Sequence, residues 1–133
     1  MREFRLQIVT PDGQQFDGMA ERLIVRTIAG DVGILAGHTD YVTALGMGKA
    51  RIVTGGEERA AACIGGMLSV SGGNVKVVAT TFEWSDQIDV ARAERSEQRA
   101  KAVLEEKSKH TAEEIALAEA RLKRALIRKG AAK

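Results

Sequence analysis

Thirteen of the fourteen glycines lie between Gly13 and Gly73, and none falls between Asn74 and Lys129. Glycine marks tight turns and is poor inside helices, so a turn-rich half is followed by an uninterrupted one. In the first half apolar and polar residues alternate in short runs: Phe4-Arg5-Leu6-Gln7-Ile8, Leu23 to Arg26, Ile52-Val53 and Val75-Lys76-Val77. That is the period of half-buried strands. Pro11-Asp12-Gly13, Gly55-Gly56, Gly65-Gly66 and Ser71-Gly72-Gly73-Asn74 separate the runs as hairpin turns would. Many short strands joined in this way predict a compact sandwich or flattened barrel over roughly residues 1 to 83.

After Trp84 the chain turns to Ala, Glu, Arg, Lys and Leu, which are strong helix formers. Thr111-Ala112-Glu113-Glu114 matches a capping box, so two helices are expected rather than one, with the bend at Ser108-Lys109-His110. Asp86 or Asp89 can cap the first helix, which then runs from about Val90 to Lys107; the second runs from Ala112 to about Arg128. The expected architecture is α+β, with a sandwich domain over 1–84 and an antiparallel two-helix hairpin over 85–133. The hairpin's larger apolar residues are few: Val90, Val103, Leu104, Ile115, Leu117, Leu122, Leu126 and Ile127. Isolated helices of this length are marginal, so a loosely docked hairpin able to open is expected.

Length and charge exclude several function classes. The chain has 133 residues and a formal net charge of +2, too small for a large multidomain enzyme and too balanced for a strong overall field. Charge divides as the glycines do: residues 1–86 carry eight bases and ten acids, and residues 87–133 carry twelve bases and eight acids. Beyond Glu119 only bases follow: Arg121, Lys123, Arg124, Arg128, Lys129 and Lys133. Such an end suits a helix C-terminus, and equally an acidic protein surface or phosphate groups. The apolar stretches are far shorter than the ~20 residues of a membrane helix. The start, Met1-Arg2-Glu3-Phe4, lacks the apolar core of a signal peptide.

No catalytic constellation is visible. His38 and His110 lie in different halves, and neither is near a recognisable nucleophile motif. Gly46-Met47-Gly48-Lys49 resembles the end of a phosphate-binding loop, but Thr43 stands where its first Gly belongs and Ala50 where its Ser or Thr belongs. The lone Cys63, within Ala60-Ala61-Ala62-Cys63-Ile64, reads as a small core residue and offers no internal disulfide or zinc site. A nucleic-acid-binding adaptor with a basic helical arm is the alternative from another class. Against it, Phe4, Phe16, Tyr41 and Phe82 do not interleave with basic residues as a base-stacking surface requires.

Three runs taken together resemble one family: Val9-Thr10-Pro11-Asp12-Gly13, Gly30-Asp31-Val32-Gly33-Ile34-Leu35-Ala36-Gly37-His38, and Ile64-Gly65-Gly66-Met67-Leu68-Ser69-Val70. With Ile88-Asp89-Val90-Ala91-Arg92-Ala93 in the hairpin, the chain resembles the epsilon subunit of bacterial F-type ATP synthases over its whole length. Ala36 and Asp40 depart from the family, which usually has Pro at both places.

The resemblance implies a non-catalytic rotor subunit of the central stalk, with a ten-stranded sandwich that binds the gamma subunit and rests on the c-ring. It further implies a C-terminal hairpin that restrains ATP hydrolysis. The expected location is the cytoplasmic face of the bacterial cell membrane, with membrane contact only through the complex and no nucleic-acid partner. Gly30, Asp31 and His38 are the implied c-ring contacts. In the extended hairpin, Arg121, Lys123, Arg124 and Arg128 would meet an acidic segment of the beta subunit, alongside the alpha subunit. In the folded hairpin, Arg92, Arg99, Arg124 and Arg128 would hold ATP phosphates, with Glu83, Ile88, Asp89 and Ala93 around the base. Guanidinium groups suit phosphate oxygens because they bind them bidentately. No cofactor is required; ATP is a candidate regulatory ligand.

Overall fold

The computed structural model describes residues 2–132. Eight strands are followed by two helices: β1 (Phe4–Thr10), β2 (Gly13–Ala20), β3 (Arg22–Thr27), β4 (Gly30–Leu35), β5 (Tyr41–Ala44), β6 (Met47–Thr54), β7 (Glu57–Ser71), β8 (Asn74–Trp84), α1 (Val90–Glu105) and α2 (Ala112–Ala131). The strands are ordered β2-β1-β8-β7-β6-β3-β4, with β5 also on β7.

The sandwich and hairpin are as expected; among the described residues eight strands stand for the roughly ten expected, because β7 and β8 run unbroken through both layers. The first part of β7 pairs with β6, from Glu57 opposite Thr54 to Ile64 opposite Met47. Its last part pairs with β5, Met67 opposite Ala44 and Val70 opposite Tyr41. The change of partner occurs at Gly65 and Gly66, whose φ angles of 71° and 112° lie in the left-handed region. A side chain at Gly66 would also run into the Val78 carbonyl. Only glycine turns the strand here. One pairing is parallel: β1 lies beside β8, with Leu6 opposite Val75 and Val9 opposite Val78. All the other pairings are antiparallel.

Alternation delivers the core as expected. Leu6, Ile8, Leu23, Val25, Ile34, Ile52, Leu68, Val70 and Val77 are fully buried between the layers. Phe82 and Trp84 close one end, with their rings edge to face at 4.9 Å, and the Arg59 guanidinium lies 3.7 Å over the indole. Cys63 is buried there too, and burial pushes its thiol up to about 12.

A single 3-10 turn, Ser85–Gln87, leads from β8 to the hairpin. Asp89 caps α1 by accepting from the Arg92 amide at 3.0 Å. The capping box forms at α2: Thr111 Oγ1 accepts from the Glu114 amide, and a Glu114 carboxylate oxygen accepts from the Thr111 amide. The helix ends shift slightly from expectation. A second 3-10 turn, Lys107–Lys109, takes the end of α1, and α2 continues through Gly130 because Ala131 is buried against Ala62 and Ile88.

None of the eight larger apolar residues of the hairpin is fully buried. Val90, Leu117 and Leu126 are about half exposed, at 48%, 46% and 49%. The buried positions are instead Ala93, Glu97 and Ala100 of α1 with Ala118, Ala125 and Ala131 of α2. Alanine lets helices approach closely but removes little apolar area from water. The end of α2 rests on the outer face of the sheet, where Ile127, Ala131 and Ala132 join Ala62 and Ile88.

Candidate functional site

Where the hairpin meets the sheet, a cavity of about 300 Å³ is lined by Glu83, Gln87, Asp89, Arg92, Ala93, Ser96 and Arg128. Each residue arrives there for a local reason. Glu83 points outward from the last strand, since its neighbours Phe82 and Trp84 face the core. Asp89 is held by its capping bond, which starts α1 so that Arg92, Ala93 and Ser96 fall on one side of the first two turns. Arg128 comes from the far end of α2, and its Nε donates to Glu83 Oε1.

A second cavity of about 620 Å³ continues between the helices, sharing Arg92 and Ser96 with the first. Arg99, Val103, Leu117 and Arg121 are among its lining residues. Both volumes fall in the ~300–1,000 Å³ range of small-molecule sites, and the second joins apolar walls to guanidinium groups.

Of the residues expected around ATP, five line the first cavity: Glu83, Asp89, Arg92, Ala93 and Arg128. Arg99 lines the second. Ile88 does not line either; it is 8% exposed and packs beneath, on Ala62 and Ala131. Arg124 lines neither cavity, although it is half-buried on the same helix. Gln87 and Ser96 are cavity residues that the sequence reading passed over, and Arg121, expected only at the beta subunit, lines the second cavity. Ser96 was legible in principle, since it stands one turn after Arg92.

Four bases of α2 were expected to act together. Arg121, Arg124 and Arg128 do share one face at spacings of three and four, while Lys123 projects from the other side of the helix. Arg128 is already committed to Glu83.

Gly30, Asp31 and His38 do not form one loop. Gly30 and Asp31 begin β4 and His38 follows its end, so a strand about 17 Å long lies between them. The return path shows the same separation: β5 runs back until the Ala44 carbonyl accepts from the Ile28 amide, beside the start of β4. Asp31 pairs with Arg26 at 2.7 Å, and Gly30 has a φ of 114° in the turn. His38 Nδ1 contacts the Thr39 carbonyl oxygen at 2.7 Å, and its ring lies 5.9 Å from that of Tyr41.

Among the described residues, no group of three His, Cys, Asp or Glu is placed to hold a metal ion. Among the described residues, no helix is long and apolar enough to cross a membrane.

Comparison with known proteins covers both halves. Residues 3–85 match the beta-sandwich domain of the ATP synthase delta/epsilon chain, and residues 86–133 match its long alpha-helix domain. The chain is 44% identical to an ATP synthase epsilon chain of Ruminococcus albus over 129 residues, 96% of this chain and 95% of that one. It is 40% identical to the epsilon chain of Levilactobacillus brevis, again over 129 residues, 96% of this chain and 93% of the other. A chain in the mitochondrial ATP synthase of Euglena gracilis shares the fold, with a TM-score of 0.86 at 20% identity, covering 100% of this chain and 83% of that one. A chain of the central stalk and c-ring assembly of Tetrahymena thermophila aligns at a TM-score of 0.64 and 15% identity, covering 97% and 96%. The chain therefore belongs to the ATP synthase delta/epsilon family, as a non-catalytic epsilon-type subunit.

Proposed function

We propose that this subunit couples gamma to the c-ring through its sandwich and regulates ATP hydrolysis through its hairpin, with ATP as the ligand of the folded state. The observation that carries the regulatory part is the cavity at the junction, where Arg92 and Arg128 come from different helices to face Glu83 and Asp89. A triphosphate placed there would draw Arg128 from Glu83 to its own oxygens and bridge α1 to α2, because a guanidinium binds phosphate bidentately. Arg99 and Arg121 in the adjoining cavity would extend the cationic path, and Arg124 would need to turn inward to join it.

Opened, the same helix would present Arg121, Arg124 and Arg128 on one face to an acidic segment of the beta subunit, with Lys123 outside that face. Against the c-ring, Gly30 and Asp31 form the proposed contact; Asp31 would exchange Arg26 for an arginine of the ring. His38 stands at the other end of β4 and serves a different surface. The site of action is the cytoplasmic side of the bacterial membrane, reached through the complex.

Calorimetric titration of the chain with ATP, with and without magnesium, tests the ligand. Saturable binding lost in both Arg92→Ala and Arg128→Ala but kept in Lys123→Ala is the expected result. Absence of heat at millimolar ATP would leave the hairpin a mechanical element without a nucleotide.

A further inference from the structure

Building on the mobile-hairpin reading, we infer that Arg128 and Lys129 form a two-sided ionic latch that holds the hairpin closed, Arg128 gripping the sheet and Lys129 gripping the first helix. Successive residues of a helix point about 100° apart, so one turn of α2 can reach in both directions. Lys129 Nζ lies 2.6 Å from Glu94 Oε2 and 2.8 Å from Glu97 Oε1. Glu94 and Glu97 sit one turn apart on α1 and bracket the ammonium. The other Glu97 oxygen receives Lys101 at 3.0 Å, so both oxygens of that carboxylate are engaged. On the opposite side Arg128 holds Glu83 of β8.

Glu97 makes this more than a surface ion pair. It is 4% exposed and sits among the alanines that form the helix contact, the sole charged residue buried there. A carboxylate enters such a place only with its partners, because an uncompensated buried charge is strongly unfavourable. Closure therefore depends on Lys129 arriving. Ala93, Ala100, Ala118 and Ala125 supply little buried apolar area beside the small patch that Ile127, Ala131 and Ala132 make with Ala62 and Ile88, so the ionic contacts weigh heavily in the balance. Opening α2 breaks both grips together and solvates Glu97, which makes the transition cooperative. An acidic partner surface that offers carboxylates to Arg128 and Lys129 opens the latch by exchange.

The test uses the full chain carrying spin labels at Lys76→Cys on β8 and Glu119→Cys on α2, both exposed. Cys63 is 3% exposed and escapes the label. The expected result is one closed distance population in the parent. In Lys129→Met the ratio of open to closed molecules rises about tenfold or more, because Glu97 loses its main partner. Lys129→Arg stays closed. Adding Glu97→Gln to Lys129→Met opens the hairpin less than Lys129→Met alone, since no carboxylate is then buried with one oxygen, the one Lys129 held, left without its cation. Raising salt increases the open fraction of the parent more than that of Lys129→Met. A Lys129→Met chain with the parent's distances at every salt concentration overturns the latch; the near-ultraviolet signal of Trp84, in the sandwich, reports that the rest remains folded. If the latch fails, the inhibitory role of the hairpin still stands. If it opens as described and hydrolysis by the assembled complex is unchanged, the regulatory reading is what fails.

Discussion

The sandwich and the hairpin are both well-formed secondary structure, yet they are held by different means. Nine aliphatic side chains of the sandwich, from Leu6 to Val77, are buried to below 2% exposure. The hairpin buries alanines and one carboxylate, and leaves Leu117 and Leu126 half in water. Large apolar residues make a core that opens only when the whole domain unfolds, whereas alanine contacts closed by ion pairs can come apart on their own. The difference gives the sandwich its rigidity and leaves the hairpin the conformational freedom that the proposed regulation requires.

The largest effect that sharpens this comparison is in the sandwich. Leu68→Ala should cost about 2–5 kcal/mol, read by chemical denaturation, because the site cannot collapse around the void. A loss near zero would break the comparison. Next, Gly66→Ala should cost at least ~1–3 kcal/mol from backbone strain alone, with the clash at Val78 added, and should disturb the pairing of β7 with β8. In the hairpin, Thr111→Ala should remove ~1 kcal/mol through the lost cap and be seen as reduced helicity while the sandwich transition stays in place.

The hairpin should also respond to pH in a defined direction. The hydrogen bond from Lys129 lowers the pKa of Glu94, and hydrogen bonds from Lys129 and then Lys101 lower that of Glu97; those carboxylates raise that of Lys129. The lowered carboxylates stabilise closure above their ordinary range, and that contribution is lost as pH falls through their folded values. Lys129 stabilises closure below its ordinary value of 10.5, and its contribution is lost as pH rises through the folded value. Closure should be flat across neutral pH and weaken at both extremes, which distance measurements over a pH series would check. The smallest effect is expected for Leu126→Ala, within about 0.5 kcal/mol despite the size of the residue, because its side chain is half exposed.

Much of this division was legible in the sequence. The glycine-free stretch after Asn74, the Asp89 cap and the Thr111–Glu114 box led directly to the two helices. Alternation in Phe4 to Ile8 and Val75 to Val77 identified inward-facing positions correctly. What stayed hidden depends on distant partners. The fusion of ten expected strands into eight follows from Gly65 and Gly66 bending a strand, where the same pair also reads as an ordinary turn. The parallel neighbours β1 and β8 are far apart in sequence. In the hairpin the large apolar residues are few, and the helices meet on alanines, whose individual positions carry almost no periodic signal. Glu97 looks like any solvated helix charge until Lys129 is seen beside it. Of the residues proposed to hold ATP, Asp89, Arg92 and Ala93 share a short motif, and Glu83 and Arg128 meet them only in three dimensions.

Amide hydrogen exchange on the full chain, resolved by segment, tests the contrast most directly. The account predicts that α1 and α2 exchange at least ~100-fold faster than the central strands β6, β7 and β8, through an opening that leaves the sandwich intact. Equal protection in the two halves, lost together in a single transition, would contradict it.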